Sequence, residues 1–130
     1  MQEGLKSSNT QFRNYRFEDL EVWKTGMKIV SGIYAVTRRF PKEEQFALVD
    51  QLKRASTSIV LNIAEGSGQS TSKGFALYVN RSKSSVLECV ACLKVAIQEK
   101  FVNEIDVNSL LALLKEEYFK LVALEKSLRR

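Results

Sequence analysis

Histidine is absent from the 130-residue sequence. Histidine is the commonest general base in enzymes and the commonest zinc ligand, so most catalytic and zinc-binding arrangements have no candidate residue in this chain. The two cysteines, Cys89 and Cys92, lack the two further Cys or His ligands that a structural zinc site requires. At a spacing of three residues on a helix, we interpret them as small buried residues with free thiols rather than as a redox pair. We therefore predict a protein that is not an enzyme and that has no cofactor or metal.

Residues that break helices are also scarce, and so are long apolar segments. Pro41 is the only proline and there are six glycines, which favours long helices over a β fold with many turns. No run reaches the roughly 18 consecutive apolar residues of a membrane span, and the polar N-terminus lacks the apolar core of a signal peptide. We therefore expect a cytoplasmic protein. The Gly66–Gly68 segment is not followed by Gly-Lys-Ser/Thr, so it is not a phosphate-binding P-loop.

Apolar residues recur every three or four positions over most of the chain, which predicts amphipathic helices. The predicted helices run from Glu18 to Phe40, from near Glu43 to Gly66, from Thr71 or Ser72 to about Lys100, and from Asn103 to the C-terminus. Because the connections between them are short, neighbouring helices should be antiparallel. The sequence thus predicts an all-α, up-down-up-down four-helix bundle over residues 17–130. Residues 1–16 should form a flexible basic arm.

Several local features refine this prediction. Asn103 followed by Asp106 is a variant of the capping box, and Gly66 suits the left-handed position just after a helix. The predicted core row of the second helix contains Phe46, Val49, Leu52, Ser56, Ile59 and Ile63. The predicted core row of the third helix contains Phe75, Tyr78, Val79, Ser82, Val86, Cys89, Leu93, Ala96 and Ile97. The predicted core row of the fourth helix contains Val107, Leu111, Leu114, Tyr118, Leu121 and Leu128.

The net charge of +5 favours an anionic partner without establishing one. On the third helix, Lys73, Lys83 and Lys94 fall in one stripe with Asn80 and Gln98. Evenly spaced lysines can follow a phosphate backbone, although a solubilising surface would have the same pattern. The candidate nucleic-acid-binding residues are Lys73, Arg81, Lys83, Lys94 and Arg54.

A second polar stripe lies on the second helix and contains Gln51, Arg54, Ser58, Asn62 and Glu65. Two interpretations are open. The stripe is a solvated face or a hydrogen-bond network between helices in the first, and a polar subunit interface in the second. The first two helices also carry apolar arcs of about 180°, wider than the roughly 100° that a bundle core uses. Leu77, Leu87 and Val95 lie off the main core row of the third helix. These surfaces predict a homo-oligomer, unless the N-terminal arm with Phe12, Tyr15 and Phe17 covers them.

Three segments, FEDLEVW at 17–23, FPKEEQFALVDQLKRAS at 40–56 and SIVLNIAEGSG at 58–68, resemble the bacterial four-helix bundle family of 23S rRNA intervening-sequence proteins. The resemblance extends over about residues 17–128 and implies the same fold. The biochemical role of that family is largely undefined. A related group, the accessory variability proteins of diversity-generating retroelements, forms basic pentamers that engage nucleic acid and a reverse transcriptase. The resemblance therefore implies a homopentamer.

The sequence departs from the family pattern at three points. Ser72-Lys73-Gly74-Phe75 replaces the usual Lys-Lys-Glu-Phe, Ser82-Lys83-Ser84-Ser85 replaces an Ala-Leu-Gly-Ser run, and Val60 replaces a common proline. The first two changes make the third helix more basic or more polar, and the third predicts a straighter second helix. We predict a non-enzymatic nucleic-acid-binding or accessory protein that engages structured RNA or an RNA–protein assembly. The alternative is a structural protein–protein adaptor.

Overall fold

The computed structural model of the protein describes residues 15–130, and these residues form helices and no strands. Four long helices are α1 (Glu21–Thr37), α2 (Leu48–Ser67), α3 (Ser72–Gln98) and α4 (Glu104–Leu128). Short 3-10 turns at Arg16–Asp19 and Lys42–Glu44 precede α1 and α2. The predicted all-α four-helix fold is confirmed. The predicted arm falls mostly on residues 1–14, which lie outside the described part of the chain.

Each helix packs against its neighbours in sequence, and α1 also packs against α4. The first turns of α1 meet the end of α4, where Lys120 Nζ donates to Thr25 Oγ1 at 3.1 Å. The residues just after α1 meet the start of α4, where Arg39 pairs with Asp106 at 3.2 Å. The start of α1 therefore lies beside the second half of α4, and the end of α1 lies beside the start of α4. The two helices are antiparallel.

The same order holds between α2 and α3. Ser82 Oγ, in the first half of α3, donates to the Ile59 carbonyl in the second half of α2 at 2.8 Å. Gln51, in the first turn of α2, donates to Glu88 in the second half of α3. Both hydrogen bonds fit helices that pack side by side in opposite directions.

Apolar side chains from all four helices fill the centre of the bundle. The predicted core rows of α3 and α4 are buried or half-buried, and so is that of α2 except for Phe46. Phe46 is 95% exposed, which corrects the prediction. The reason is that α2 begins at Leu48, whose backbone N–H donates to Glu44 Oε1, and residues before that helix do not follow its period.

The ends of the helices differ from the predictions at several points. Glu18 belongs to the 3-10 turn and α1 ends at Thr37, so α1 is shorter than predicted. Thr71 caps α3 as predicted, because its hydroxyl accepts a hydrogen bond from the Gly74 N–H at 3.0 Å. The predicted capping box at α4 is wrong: the Asn103 side chain makes no capping bond, and the Asp106 carboxylate pairs with Arg39 instead.

The turn between α2 and α3 also differs from the prediction. Gly66 lies inside α2, and no glycine among residues 15–130 has a positive φ. A Cβ atom at Gly66 would lie 2.7 Å from Tyr78 Cβ and 2.8 Å from Phe75 Cδ1. The prediction of a left-handed Gly66 is therefore wrong, because this glycine is needed for the close approach of α3.

Candidate nucleic-acid interface and neighbouring surfaces

Lys73 and Arg81, in the first half of α3, are exposed. The Arg81 guanidinium carbon lies 4.6 Å from the centre of the Tyr78 ring, a distance at which the cation and the ring attract each other. Lys83 is less accessible than these two residues, because its ammonium pairs with Glu125 of α4 at 2.7 Å and its side chain is largely covered. Lys73 and Arg81 are therefore better placed than Lys83 to contact a phosphate.

The structure does not bring the other two candidates to the same place. Lys94 lies 21 residues beyond Lys73, which is roughly 30 Å along the helix axis. Arg54 lies on α2, and its Nε pairs with Asp50 at 3.0 Å. The five predicted nucleic-acid-binding residues thus divide into one group at the start of α3 and two separate positions.

Further basic residues join Lys73 and Arg81 at this end of the bundle. Arg129 pairs with Glu125, the same carboxylate that holds Lys83. The Arg16 guanidinium lies 5.6 Å from the centre of the Phe75 ring in the first turn of α3. We call this surface the basic end, and it contains Arg16, Lys73, Arg81, Lys83 and Arg129. Sequence periodicity missed Arg16 and Arg129 because they come to α3 from other elements.

The electrostatics of the basic end depend on Glu125 and on the α3 terminus. Hydrogen bonds from Lys83 and then from Arg129 lower the pKa of Glu125, which keeps this carboxylate charged. Its single charge is shared between two cations. The first turn of α3 contains no acidic residue, so the positive end of its helix dipole is not neutralised there.

The predicted polar stripe of α2 reaches α3 at two of its residues, Gln51 and Ser58. The Ser85 hydroxyl donates to Ser58 Oγ at 3.0 Å, and Asn62 Nδ2 donates to the same oxygen at 3.0 Å. Gln51 donates to Glu88 at 3.4 Å. Arg54 and Glu65 at the outer edge of the stripe are exposed. Gln51, Ser58 and Asn62 therefore lie in hydrogen-bond contacts within α2 or between α2 and α3, and the polar subunit interface stays a prediction.

An apolar groove of about 330 Å³ runs between α3 and α4 on the outer surface. Its exposed or half-exposed walls are Leu87, Val90, Leu111, Tyr118 and Phe119, and Lys94 and Lys115 border it. We call this surface the α3/α4 groove. Lys94, predicted as a phosphate contact, is thus one border of an apolar surface.

A wider depression of about 690 Å³ lies between the start of α2 and the end of α3. Phe46 stands at its edge with Val95 nearby. Its charged residues are mostly acidic. We call this surface the acidic corner, and it contains Glu44, Phe46, Asp50, Glu88, Val95 and Glu99.

One carboxylate lies inside the bundle. Glu117 of α4 is 0% exposed, and neither of its carboxylate oxygens has a hydrogen-bond partner. Its Oε2 atom packs beside Gly26 of α1, where a Cβ atom would lie only 3.1 Å away. Burial raises the pKa of Glu117 to about 8, against a smaller lowering by the Lys120 ammonium. At neutral pH most molecules therefore hold this side chain protonated.

A family model described as the 23S rRNA-intervening sequence protein matches residues 18–123 of the chain. The chain belongs to this family. A crystal structure of a protein with unknown function from the S23 ribosomal protein family of Bacteroides thetaiotaomicron is 19% identical to the chain, with a TM-score of 0.75. The match covers 81% of this chain and 98% of that one, and at this identity it shows the fold alone. No curated protein matches the chain.

In this member of the 23S rRNA-intervening sequence protein family, Cys89 and Cys92 are buried free thiols, as predicted. Burial raises the pKa of Cys89 to about 12, so the reactive thiolate is rare at neutral pH. Within residues 15–130, no group of three or more Cys, Asp or Glu side chains could hold a metal ion. No helix in the same range has the length and apolar character needed to cross a membrane.

Proposed function

We propose that this protein is a non-enzymatic nucleic-acid-binding accessory protein of the cytoplasm, which engages structured RNA or an RNA–protein assembly as a homo-oligomer. The observation that supports this function is the basic end, to which the first 3-10 turn, α3 and the end of α4 contribute five basic side chains, while Glu125 pairs with only two of them. The family description, with its reference to an rRNA intervening sequence, adds support for RNA.

The basic end would contact the phosphate backbone rather than the bases. Lys73 and Arg81 are long basic side chains that are exposed on one helix. Cations that neutralise phosphates release counterions, which gives affinity with little sequence preference. In a homo-oligomer, several copies of this weak surface would act together by avidity. The resemblance to pentameric accessory proteins makes a pentamer the proposed assembly.

Salt dependence of RNA binding tests the proposal. We expect the wild type to bind a structured RNA at low salt, with an affinity that falls steeply as salt increases. In the double variant Lys73→Gln/Arg81→Gln, the slope of log affinity against log salt should become less steep by roughly 0.7–0.9 per lost phosphate contact. Fluorescence anisotropy with a labelled RNA hairpin measures both quantities.

The matched control is Lys28→Gln/Lys42→Gln, which removes the same charge from two exposed residues on α1 and in the turn before α2. It should leave the slope unchanged. Equal effects of the two double variants would show that only net charge matters and would overturn the assignment to the basic end. If the wild type does not bind at the lowest salt, the nucleic-acid function itself is wrong.

A protein–protein adaptor is the second candidate function, and the exposed α3/α4 groove favours it. Monomeric proteins rarely leave a large contiguous apolar surface uncovered. A stoichiometric protein partner recovered from a nuclease-treated lysate, together with no RNA binding at low salt, would favour the adaptor over the RNA-binding function.

A further inference from the structure

Glu125 of α4 differs from the other carboxylates in the ion pairs that residues 15–130 form. Its Oε1 atom pairs with Lys83 Nζ at 2.7 Å, and its Oε2 atom pairs with Arg129 Nε at 3.1 Å. Every other carboxylate in those pairs holds a single cation and has a side chain at least 32% exposed, whereas the Glu125 side chain is 14% exposed. One covered anion therefore bridges two cations of the basic end.

A backbone phosphate of RNA could accept the same two hydrogen bonds. Like a carboxylate, it carries a negative charge on oxygens that share one centre, and both arginine and lysine bind either group. Lys83 lies on α3 and Arg129 at the end of α4, so the packing of the bundle brings them together around one anion. The Glu125 carboxylate thus occupies a place that would suit a phosphate.

Solvent reaches this arrangement mainly from the side of Arg129. The Arg129 side chain is 47% exposed, against 20% for Lys83. Hydrogen bonds from Lys83 and Arg129 lower the pKa of Glu125, so its carboxylate is ionised at neutral pH. A phosphate that approaches Arg129 is therefore repelled by a negative charge that already lies beside the guanidinium.

Two opposite effects of Glu125 on RNA binding are conceivable. It could hold Lys83 and Arg129 in position for a phosphate, or it could compete with the phosphate for them. The charge balance favours competition, because two cations and one anion leave a single positive charge, and the same two cations without Glu125 would offer both of theirs. Lys83 also has a flexible stem, which can reach solvent once its partner is removed.

We propose that Glu125 is a built-in competitor of RNA, which occupies the place of a backbone phosphate between Lys83 and Arg129 and so withholds both cations. This inference rests on the proposed function and adds the residue that limits its affinity. Arg16, Lys73 and Arg81 then make the phosphate contacts of the wild type. The two paired cations join them only when the carboxylate is removed.

Glu125→Gln tests this inference by fluorescence anisotropy with the labelled RNA hairpin. The amide keeps the shape of the side chain and removes its charge. We expect tighter binding than in the wild type and a slope of log affinity against log salt that is steeper by roughly 0.7–0.9 for each cation released. Adding Lys83→Gln to this variant should take back about half of that increase.

Glu116→Gln is the matched control, because it removes the same charge from the same helix at a residue that pairs with Lys120, outside the basic end. It should leave the slope unchanged. If the wild type binds and Glu125→Gln has no steeper slope than Glu116→Gln, the competitor is wrong and the RNA-binding function stands. If neither the wild type nor Glu125→Gln binds at the lowest salt, both are wrong.

A second measurement needs no RNA. Glu125→Ala leaves space between Lys83 and Arg129, where inorganic phosphate should bind and stabilise the folded chain. We expect phosphate to raise the midpoint of thermal unfolding of this variant more than that of the wild type or of Glu116→Ala, at an ionic strength matched with sodium chloride. Circular dichroism checks that each variant is folded. Equal rises in all three proteins would overturn the inference.

Discussion

At the scale of single residues, Glu117 is the least expected feature of the bundle. Its position, three residues after Leu114 and four before Leu121, continues the apolar row of α4. The predicted row of α4 contains Tyr118 and not Glu117. The spacing is the signal that would place Glu117 inside, whereas its residue type argues against it, because a charged residue is almost never fully buried without a partner.

The raised pKa of Glu117 predicts that stability falls as pH rises. Its pKa increases from an ordinary value near 4.5 to about 8 on folding, so the folded chain binds the proton more tightly. Stability is therefore highest below pH 4.5 with respect to this group, and it decreases between about pH 4.5 and 8. The total loss should be on the order of a few kcal/mol.

Urea unfolding at pH 5, 6.5 and 8 measures this dependence in the wild type and in Glu117→Gln, in which it should disappear. The control is Glu116→Gln. Glu116 is exposed, and the Lys120 hydrogen bond lowers its pKa, so its stabilising effect is lost only at acidic pH. This variant should keep most of the slope of the wild type, because the Glu116 charge makes the smallest of the three contributions to the Glu117 pKa. A flat profile in the wild type would contradict the assignment.

Lys100 supplies a second prediction for a single residue. It has a φ of 64°, and the bonds from Lys100 N–H to Ile97 and from Phe101 N–H to Ala96 close a Schellman motif at the end of α3. Glycine adopts this conformation without the steric cost of a Cβ atom. We expect Lys100→Gly to increase the free energy of unfolding by up to about 1 kcal/mol.

Lys100→Ala is the comparison, since it removes the same side chain but retains Cβ. Chemical denaturation should show a gain in stability for the glycine variant alone. Equal gains in both variants would mean that the lysine charge, and not the backbone conformation, is responsible.

At the scale of helices, the sequence predicts the fold well because the period of its apolar residues is a property of each helix by itself. The interior rows of α3 and α4 follow that period, and the α2 row does so from Val49 onward. The errors fall at the ends: Phe46 before α2, Gly66 near its end and Asp106 at the start of α4. The errors at Gly66 and Asp106 come from contacts with another helix, which no local pattern contains. The error at Phe46 has a local cause, because α2 begins only at Leu48.

Gly66 gives a prediction for the packing of α2 on α3. In Gly66→Ala, the new methyl group would lie under 3 Å from atoms of Phe75 and Tyr78, so these helices would have to separate. We expect a loss of about 1–3 kcal/mol in the free energy of unfolding.

Gly68→Ala is the matched control, since the nearest atom to its new methyl group would be the Glu65 carbonyl oxygen at 3.6 Å, an ordinary contact. Gly68 also has a right-handed conformation, so alanine fits and should stabilise the chain slightly. Thermal or urea unfolding compares the two variants. Similar losses in both would argue against a specific role for close packing at Gly66.

At the scale of the whole molecule, the candidate site was only partly predictable. Lys73 and Arg81 were found from their types and positions on α3. Arg16 and Arg129 join them through contacts with Phe75 and with Glu125, which depend on how the whole bundle assembles. The same assembly withdraws Lys83 into an ion pair and separates Arg54 from the others.

The proposed homo-oligomer predicts a midpoint of thermal unfolding that depends on concentration. Association stabilises folded chains by mass action, so the midpoint should rise as protein concentration rises. Differential scanning calorimetry over a hundredfold range of concentration makes the comparison, and a concentration-independent midpoint would contradict the homo-oligomer.

The buried Glu117 also makes folding of the whole chain a proton-consuming reaction. The sequence has no histidine, so no other side chain of ordinary pKa titrates between about pH 5 and 8. Unfolding near pH 6.5 should therefore release roughly one proton per chain. The heat of unfolding measured by calorimetry should then differ between buffers in proportion to their own heats of ionisation.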